Sequence, residues 1–86
     1  MYKLIIDCFN FTLEHTITVV DASGKTVGLV QLPSSEIAGF AARDSRISSI
    51  TLVGPKEFCL GFKEQIKKTL ATEYANRNIE IEVLEQ

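Results

Sequence analysis

Four residues in this chain, Asp7, His15, Ser34 and Ser35, are candidates for chemistry, but each needs other reactive groups beside it. Asp7 interrupts an apolar run and is a possible metal or nucleotide ligand, yet two-metal chemistry needs several convergent carboxylates. His15 is the single histidine and has no cysteine beside it, so we expect a solvated loop residue. Ser34 and Ser35 lack a paired base and are interpreted as helix caps rather than nucleophiles. We therefore predict no catalytic residue, no metal site and no cofactor, with Asp7 as a possible ligand.

The two cysteines, Cys8 and Cys59, are expected to be structural. Both lie in apolar sequence and neither belongs to a CxxC pair. In a small protein of a reducing compartment such thiols usually fill the core. We expect free thiols rather than a disulfide.

The elements that would position these residues begin with three strands. Runs of apolar or β-branched residues predict strands over 3–9, 16–20 and 26–32. The first run is apolar on both parities, which is typical of an interior strand. Gly24 lies in the turn between the second and third strands, where a positive φ is needed.

Two helices and two strands follow. Pro33 ends the third strand, and a short helix begins with Glu36 in its first turn. A fourth strand is predicted over 50–53 and is followed by a long amphipathic helix. The alternation at 79–83 predicts a last strand with one wet, acidic face, which suits a sheet edge. The apolar stripe of the long helix consists of Phe58, Phe62, Ile66, Leu70 and Tyr74.

The order β-β-β-α-β-α-β predicts an α+β (mixed α/β) fold in a single compact domain over residues 1–86. We expect a five-stranded mixed sheet with the strand order third, second, first, fourth, fifth. Right-handed crossovers then place both helices on one face of this sheet.

This order of elements resembles the core of the ribonuclease H-like superfamily, which includes half-domains of actin-like ATPases. The resemblance covers nearly the whole chain and implies that Asp7, in the segment LIIDCFN, matches the first-strand acid that helps to bind metal. The other acids are missing, because the fourth strand ends in LVGP and the first helix offers only Glu36. An actin-like phosphate loop would place glycine soon after Asp7, whereas this chain continues CFNF. The short chain also resembles small proteins of phages and other mobile elements.

The composition argues against nucleic acid and membrane partners. The formal net charge is -2, whereas nucleic-acid binders usually carry a strong basic bias. Lys63, Lys67 and Lys68 form the densest basic group, but Glu64 lies four residues before Lys68, which is the spacing of a helix ion pair. No run approaches the roughly 20 apolar residues of a membrane span, and none resembles a signal peptide. We predict a cytoplasmic protein.

The predicted sheet has one uncovered face, and the sequence leaves two function hypotheses. In the first, the protein is a non-enzymatic protein-interaction module that forms a homodimer or docks on a protein partner through this open face or through the third strand, an edge without charge. In the alternative, it is a degenerate ribonuclease H-like metal-dependent nuclease or nucleotide-binding domain that uses Asp7. The missing carboxylates and glycines favour the first. The predicted interaction surface consists of Ile5, Phe9, Val20, Leu29, Val30 and Val53.

Overall fold

The computed structural model describes residues 1–10 and 13–85 and contains one five-stranded mixed sheet with two helices. The sheet order is β3-β2-β1-β4-β5, as the sequence predicts. β1 pairs antiparallel with β2 and parallel with β4, while β4 pairs parallel with β5. The elements are β1 (Tyr2–Asp7), β2 (His15–Val20), β3 (Thr26–Leu32), α1 (Ser34–Arg43), β4 (Ile47–Gly54), α2 (Lys56–Glu73) and β5 (Glu80–Glu85).

The core lies between the helices and one face of the sheet. Alternate residues of the three inner strands point into this layer and are fully buried, among them Leu4, Ile17 and Leu52. The helices cover them with one apolar side each, which is the arrangement expected of amphipathic elements on a sheet. The buried helix residues are Ile37, Ala38, Gly39, Ala41 and Ala42 of α1 and Cys59, Phe62, Ile66 and Leu70 of α2.

Several boundaries differ from the sequence prediction. β4 begins at Ile47 rather than at residue 50. Its first residues have weak strand propensity, but they become part of the strand because they pair with β1. α2 ends at Glu73, and Tyr74 is its C-cap. Phe58 is only partly covered by the core, although the apolar stripe of α2 predicts it to be buried.

The start of α1 also differs from the prediction. The N-cap is Pro33, with extended φ and ψ, and within the described part of the chain no side chain caps the helix. The interpretation of Ser34 and Ser35 as side-chain caps is therefore wrong, while Glu36 does lie in the first turn. Proline holds the extended conformation that an N-cap needs without a side-chain hydrogen bond.

Arg77 joins elements that are distant in sequence. Its guanidinium donates to the carbonyl oxygens of Ala42 (3.0 Å) and Asp44 (3.0 Å) and, at 2.6 Å, to that of Ile47. A weaker contact reaches the carbonyl of Ala41 at 3.4 Å. One side chain thus binds the end of α1 to the beginning of β4.

Among residues 1–10 and 13–85, neither helix has the length and apolar character needed to cross a membrane.

Candidate interaction surface

The sheet face opposite the helices is not covered by another layer of the described chain. Strand register defines its residues, because paired neighbours point to the same side. Ile5 of β1 lies beside Thr18 of β2 and Thr51 of β4. Thr18 in turn lies beside Leu29 of β3, and Thr51 lies beside Glu82 of β5. This row crosses all five strands and defines the open face.

One end of the open face is apolar. We define the apolar patch as Ile5, Phe9, Leu29, Val53 and Leu84. Leu29 is 65% exposed and Phe9 is 50% exposed, which is unusual for large apolar side chains that have no partner to cover them. Around Ile5, Phe9 and Val53 the surface forms a shallow depression of about 400 Å³, which the polar residues Asp7, Asn10, Thr16 and Thr18 also line. An apolar surface with this exposure is a feature of binding sites.

The other end of the open face is polar and internally paired. Lys3 and Glu82 form an ion pair at 3.9 Å, and the Thr51 hydroxyl donates to the Glu82 carboxylate at 3.0 Å. Glu80 lies beside Ser49 at the same end. These charges hold water at this end, so association is favoured at the apolar patch.

The two edges of the sheet differ in chemistry. β5 carries Glu80 and Glu82 on its exposed side, and such charges discourage pairing with another strand. β3 has no charged residue, and Leu29 lies at its midpoint. A bulge opposite Val19 and Val20 leaves Val27 outside the regular register, which limits free edge pairing at the beginning of β3. The regular part of the β3 edge is therefore Gly28–Leu32.

The residues of the predicted interaction surface are distributed over more than one environment. Ile5, Phe9, Leu29 and Val53 belong to the apolar patch. Val20 pairs with Lys3, which places it on the open-face side, but it is buried. Val30 pairs with Ile17 and packs against the core, so its side chain faces the helices. Val30 contributes to the edge of β3 through its backbone.

Asp7 closes the turn after β1. Its carboxylate accepts hydrogen bonds from the backbone N–H of Phe9 at 2.8 Å and of Asn10 at 3.3 Å, and from the Asn10 side-chain amide at 3.4 Å. These bonds, led by that of Phe9, lower the pKa of Asp7. Within the described residues no group of three or more histidine, cysteine or acidic side chains is placed to hold a metal ion.

Gly54 occupies the position at the end of β4 where the ribonuclease H-like resemblance implies a carboxylate. A Cβ atom there would lie 2.8 Å from the Cβ of Cys8, which is too close for any side chain without a shift of the backbone. The local packing thus requires glycine at residue 54. The β4 residue that pairs with Asp7 is Val53, which carries no carboxylate.

His15 is fully buried, and the prediction of a solvated loop residue is wrong. It is the first residue of β2, and its ring stacks on Phe62 with centroids 5.1 Å apart. Its Nδ1 lies 3.1 Å from the carbonyl oxygen of Asp7, and its Nε2 lies 2.9 Å from the hydroxyl of Ser34. The sequence gives no sign of this pairing, because Ser34 lies on a different element.

Cys8 and Cys59 are free and buried, as expected of core residues. Burial, together with the neighbouring Cys59 thiol, raises the pKa of Cys8 to about 12. The Cys8 thiol is therefore protonated at neutral pH, which is typical of structural cysteines.

Comparison with known proteins adds no family: no family model, curated protein or solved structure matches this chain. The resemblance to the ribonuclease H-like superfamily stays a prediction.

Proposed function

We propose that the protein is an interaction module that forms a homodimer through the edge of β3 and the adjoining apolar patch. The observation that carries this proposal is that the apolar patch, in which Thr18 lies between Ile5 and Leu29, includes the midpoint of an edge strand without charge. Leu29 belongs to both, and it is the most exposed residue of the patch at 65%. A partner that pairs with β3 would therefore also cover apolar surface.

A second copy of the chain fits this edge because β3 can pair with itself. Two β3 strands related by a two-fold axis run antiparallel, and a centre at Leu29 places the two Leu29 side chains opposite each other on the same face. No like charges meet across such an interface, since β3 has none. The β5 edges would bring glutamates together instead, so self-pairing there is disfavoured.

Small size supports association on general grounds. A chain of 86 residues buries only about 60–65% of its unfolded surface, and a partner subunit is a common source of further stability. An extended sheet also removes the unpaired backbone groups of one edge in each copy.

Multi-angle light scattering over a concentration series tests the proposal. We expect the mass to rise from 9.6 kDa towards twice that value as concentration increases through the micromolar range. Leu29→Lys places two cations opposite each other and removes apolar burial from both copies, so the dissociation constant should rise about 100-fold or more.

Leu60→Lys is the matched control. Leu60 is 44% exposed on α2, so the same substitution changes charge and apolar surface away from β3. We expect it to dimerise like the original protein. A mass of 9.6 kDa at every concentration, or equal weakening by both variants, would refute dimerisation through β3.

A further inference from the structure

The pairing of Ser34 with His15 has a defined polarity. A carbonyl oxygen only accepts hydrogen bonds, so the contact of His15 Nδ1 with the Asp7 carbonyl places a proton on Nδ1. Neutral imidazole then carries a lone pair at Nε2, and the Ser34 hydroxyl donates to it at 2.9 Å. A general base needs this arrangement to take the proton of a hydroxyl nucleophile.

The histidine ring is held in one orientation. The carbonyl of Asp7 fixes it from β1, and the ring of Phe62 stacks on it with an interplanar angle of 20°. A second aromatic ring, that of Phe58, lies 6.1 Å away. The Asp7 carbonyl thus orients the histidine, as the third residue of a catalytic triad does, although the group is a backbone carbonyl rather than a carboxylate.

Ser34 also lines a cavity that a small molecule can enter. This cavity, of about 220 Å³, lies between α1 and α2. Ala38, Phe62 and Ile66 form apolar walls, and Gln65 and Thr69 supply polar groups. The volume is below the roughly 300–1,000 Å³ of drug-sized sites, so it suits a short acyl chain.

We propose that Ser34 is a nucleophile for acyl transfer from short-chain carboxylic esters, with His15 as its general base. Ser34 Oγ forms a bond to the ester carbonyl carbon while His15 Nε2 takes the hydroxyl proton. The bond from that carbon to the alcohol oxygen then breaks, and the departing alcohol takes the proton from Nε2. Ser34 begins α1, so the positive end of the helix dipole favours the oxyanion formed in between.

Water completes the cycle. It attacks the carbonyl carbon of the acyl-serine while His15 takes its proton, and this proton returns to Ser34 Oγ as the acyl-oxygen bond breaks. The net reaction converts an ester and water into a carboxylic acid and an alcohol. The site lies on the helix side of the sheet, away from the open face, so it is independent of the proposed dimerisation.

The test uses the full chain with p-nitrophenyl acetate and p-nitrophenyl butyrate. We expect p-nitrophenol release, and an acyl group on the peptide that contains Ser34 after rapid acid quenching and mass spectrometry. Ser34→Ala should abolish both signals, while Ser45→Ala, at an exposed serine outside the cavity, should retain them. His15→Gln should slow acylation by about 100-fold or more, since a positioned general base contributes roughly 10²–10⁴ to a rate.

Circular dichroism and thermal melting show whether each variant is folded. If His15→Gln unfolds because the residue is buried, the comparison of Ser34→Ala with Ser45→Ala and the site of the acyl group still decide the matter. Acyl groups found on lysines or the amino terminus but not on Ser34, or an unchanged rate in folded Ser34→Ala, would overturn the proposal.

Discussion

Removal of the Arg77 guanidinium should be among the most damaging single changes outside the apolar core. Arg77→Met keeps most of the aliphatic stem but loses the three short hydrogen bonds to the carbonyls of Ala42, Asp44 and Ile47. Hydrogen bonds to charged groups contribute about 1.5–3 kcal/mol each, and a cation at a helix C-terminus adds about 0.3–1 kcal/mol. The total of these contributions is an upper bound on the loss of stability, because Arg77 is only partly buried and water can replace some of the lost hydrogen bonds.

We therefore expect Arg77→Met to lower the free energy of unfolding by about 3–5 kcal/mol. For a chain of 86 residues each kcal/mol corresponds to roughly 4–8 °C in Tm, which predicts a fall of about 12–40 °C. Differential scanning calorimetry and urea unfolding measure both quantities. Arg77→Lys should recover only part of the loss, since an ammonium group cannot reproduce the planar fork that reaches several carbonyls.

Arg43→Met is the control, because Arg43 is exposed and donates one hydrogen bond of 3.3 Å to the Tyr74 hydroxyl. It should change the free energy of unfolding by about 0.5 kcal/mol or less. If Arg77→Met melted within about 3 °C of the original protein, or no lower than Arg43→Met, the guanidinium would not join α1 to β4 as described.

Three further outcomes test the core and the charges. Phe62→Ala, which empties a buried position, should cost about 3–5 kcal/mol in urea unfolding, whereas Lys67→Ala on the exposed face should cost about 0.5 kcal/mol or less; equal costs would contradict the packing of α2. The pKa of Cys8 is raised to about 12 and both thiols are buried, so Ellman's reagent should not label the native protein at pH 8 until guanidinium unfolds the chain. Fast labelling of the native protein would contradict the burial of the thiols. Hydrogen bonding by Arg46 lowers the pKa of Asp44 from 3.8 to about 2, so the stability that the ionised carboxylate contributes is present above pH 3.8 and is lost as pH falls through about 2. The Tm of Asp44→Asn should therefore fall less steeply over this window than the Tm of the unmodified protein. Parallel plots of Tm against pH for the two proteins would exclude the linkage.

The predictable part of the fold is the part that apolar periodicity determines. The alternation of isoleucine and glutamate around Ile81 predicts a strand, and the four-residue spacing around Phe62 predicts a helix. In both elements the apolar residues also predict which side packs against the core. Ile47 shows the limit of this reasoning, because the serines that follow it have weak strand propensity and are made a strand by pairing with β1 and β5. Val30 shows another limit, since a shift of one residue exchanges the faces of a strand.

The contacts that sequence reasoning missed join residues through their polar atoms rather than through apolar patterns. Arg77 lies in the polar segment Asn76–Asn78, and nothing in that segment indicates that its side chain reaches carbonyls of α1 and β4. His15 likewise follows the charged residue Glu14, although the fold buries it against Ser34. Such pairings depend on the relative placement of elements, so they become visible only when the sheet and helices are assembled.

The two layers leave different chemistry on the two sides of the protein. On the helix side, His15 is buried and paired with Ser34 and with the carbonyl of Asp7. On the open face, the apolar patch lies at one end of the strands, and the paired charges of Lys3 and Glu82 lie at the other. The β3 edge combines apolar surface with unpaired backbone groups and lacks charge, so we expect association there. The cavity beside Ser34 lies between the two helices, so Leu29→Lys should leave Ser34 acylation unchanged.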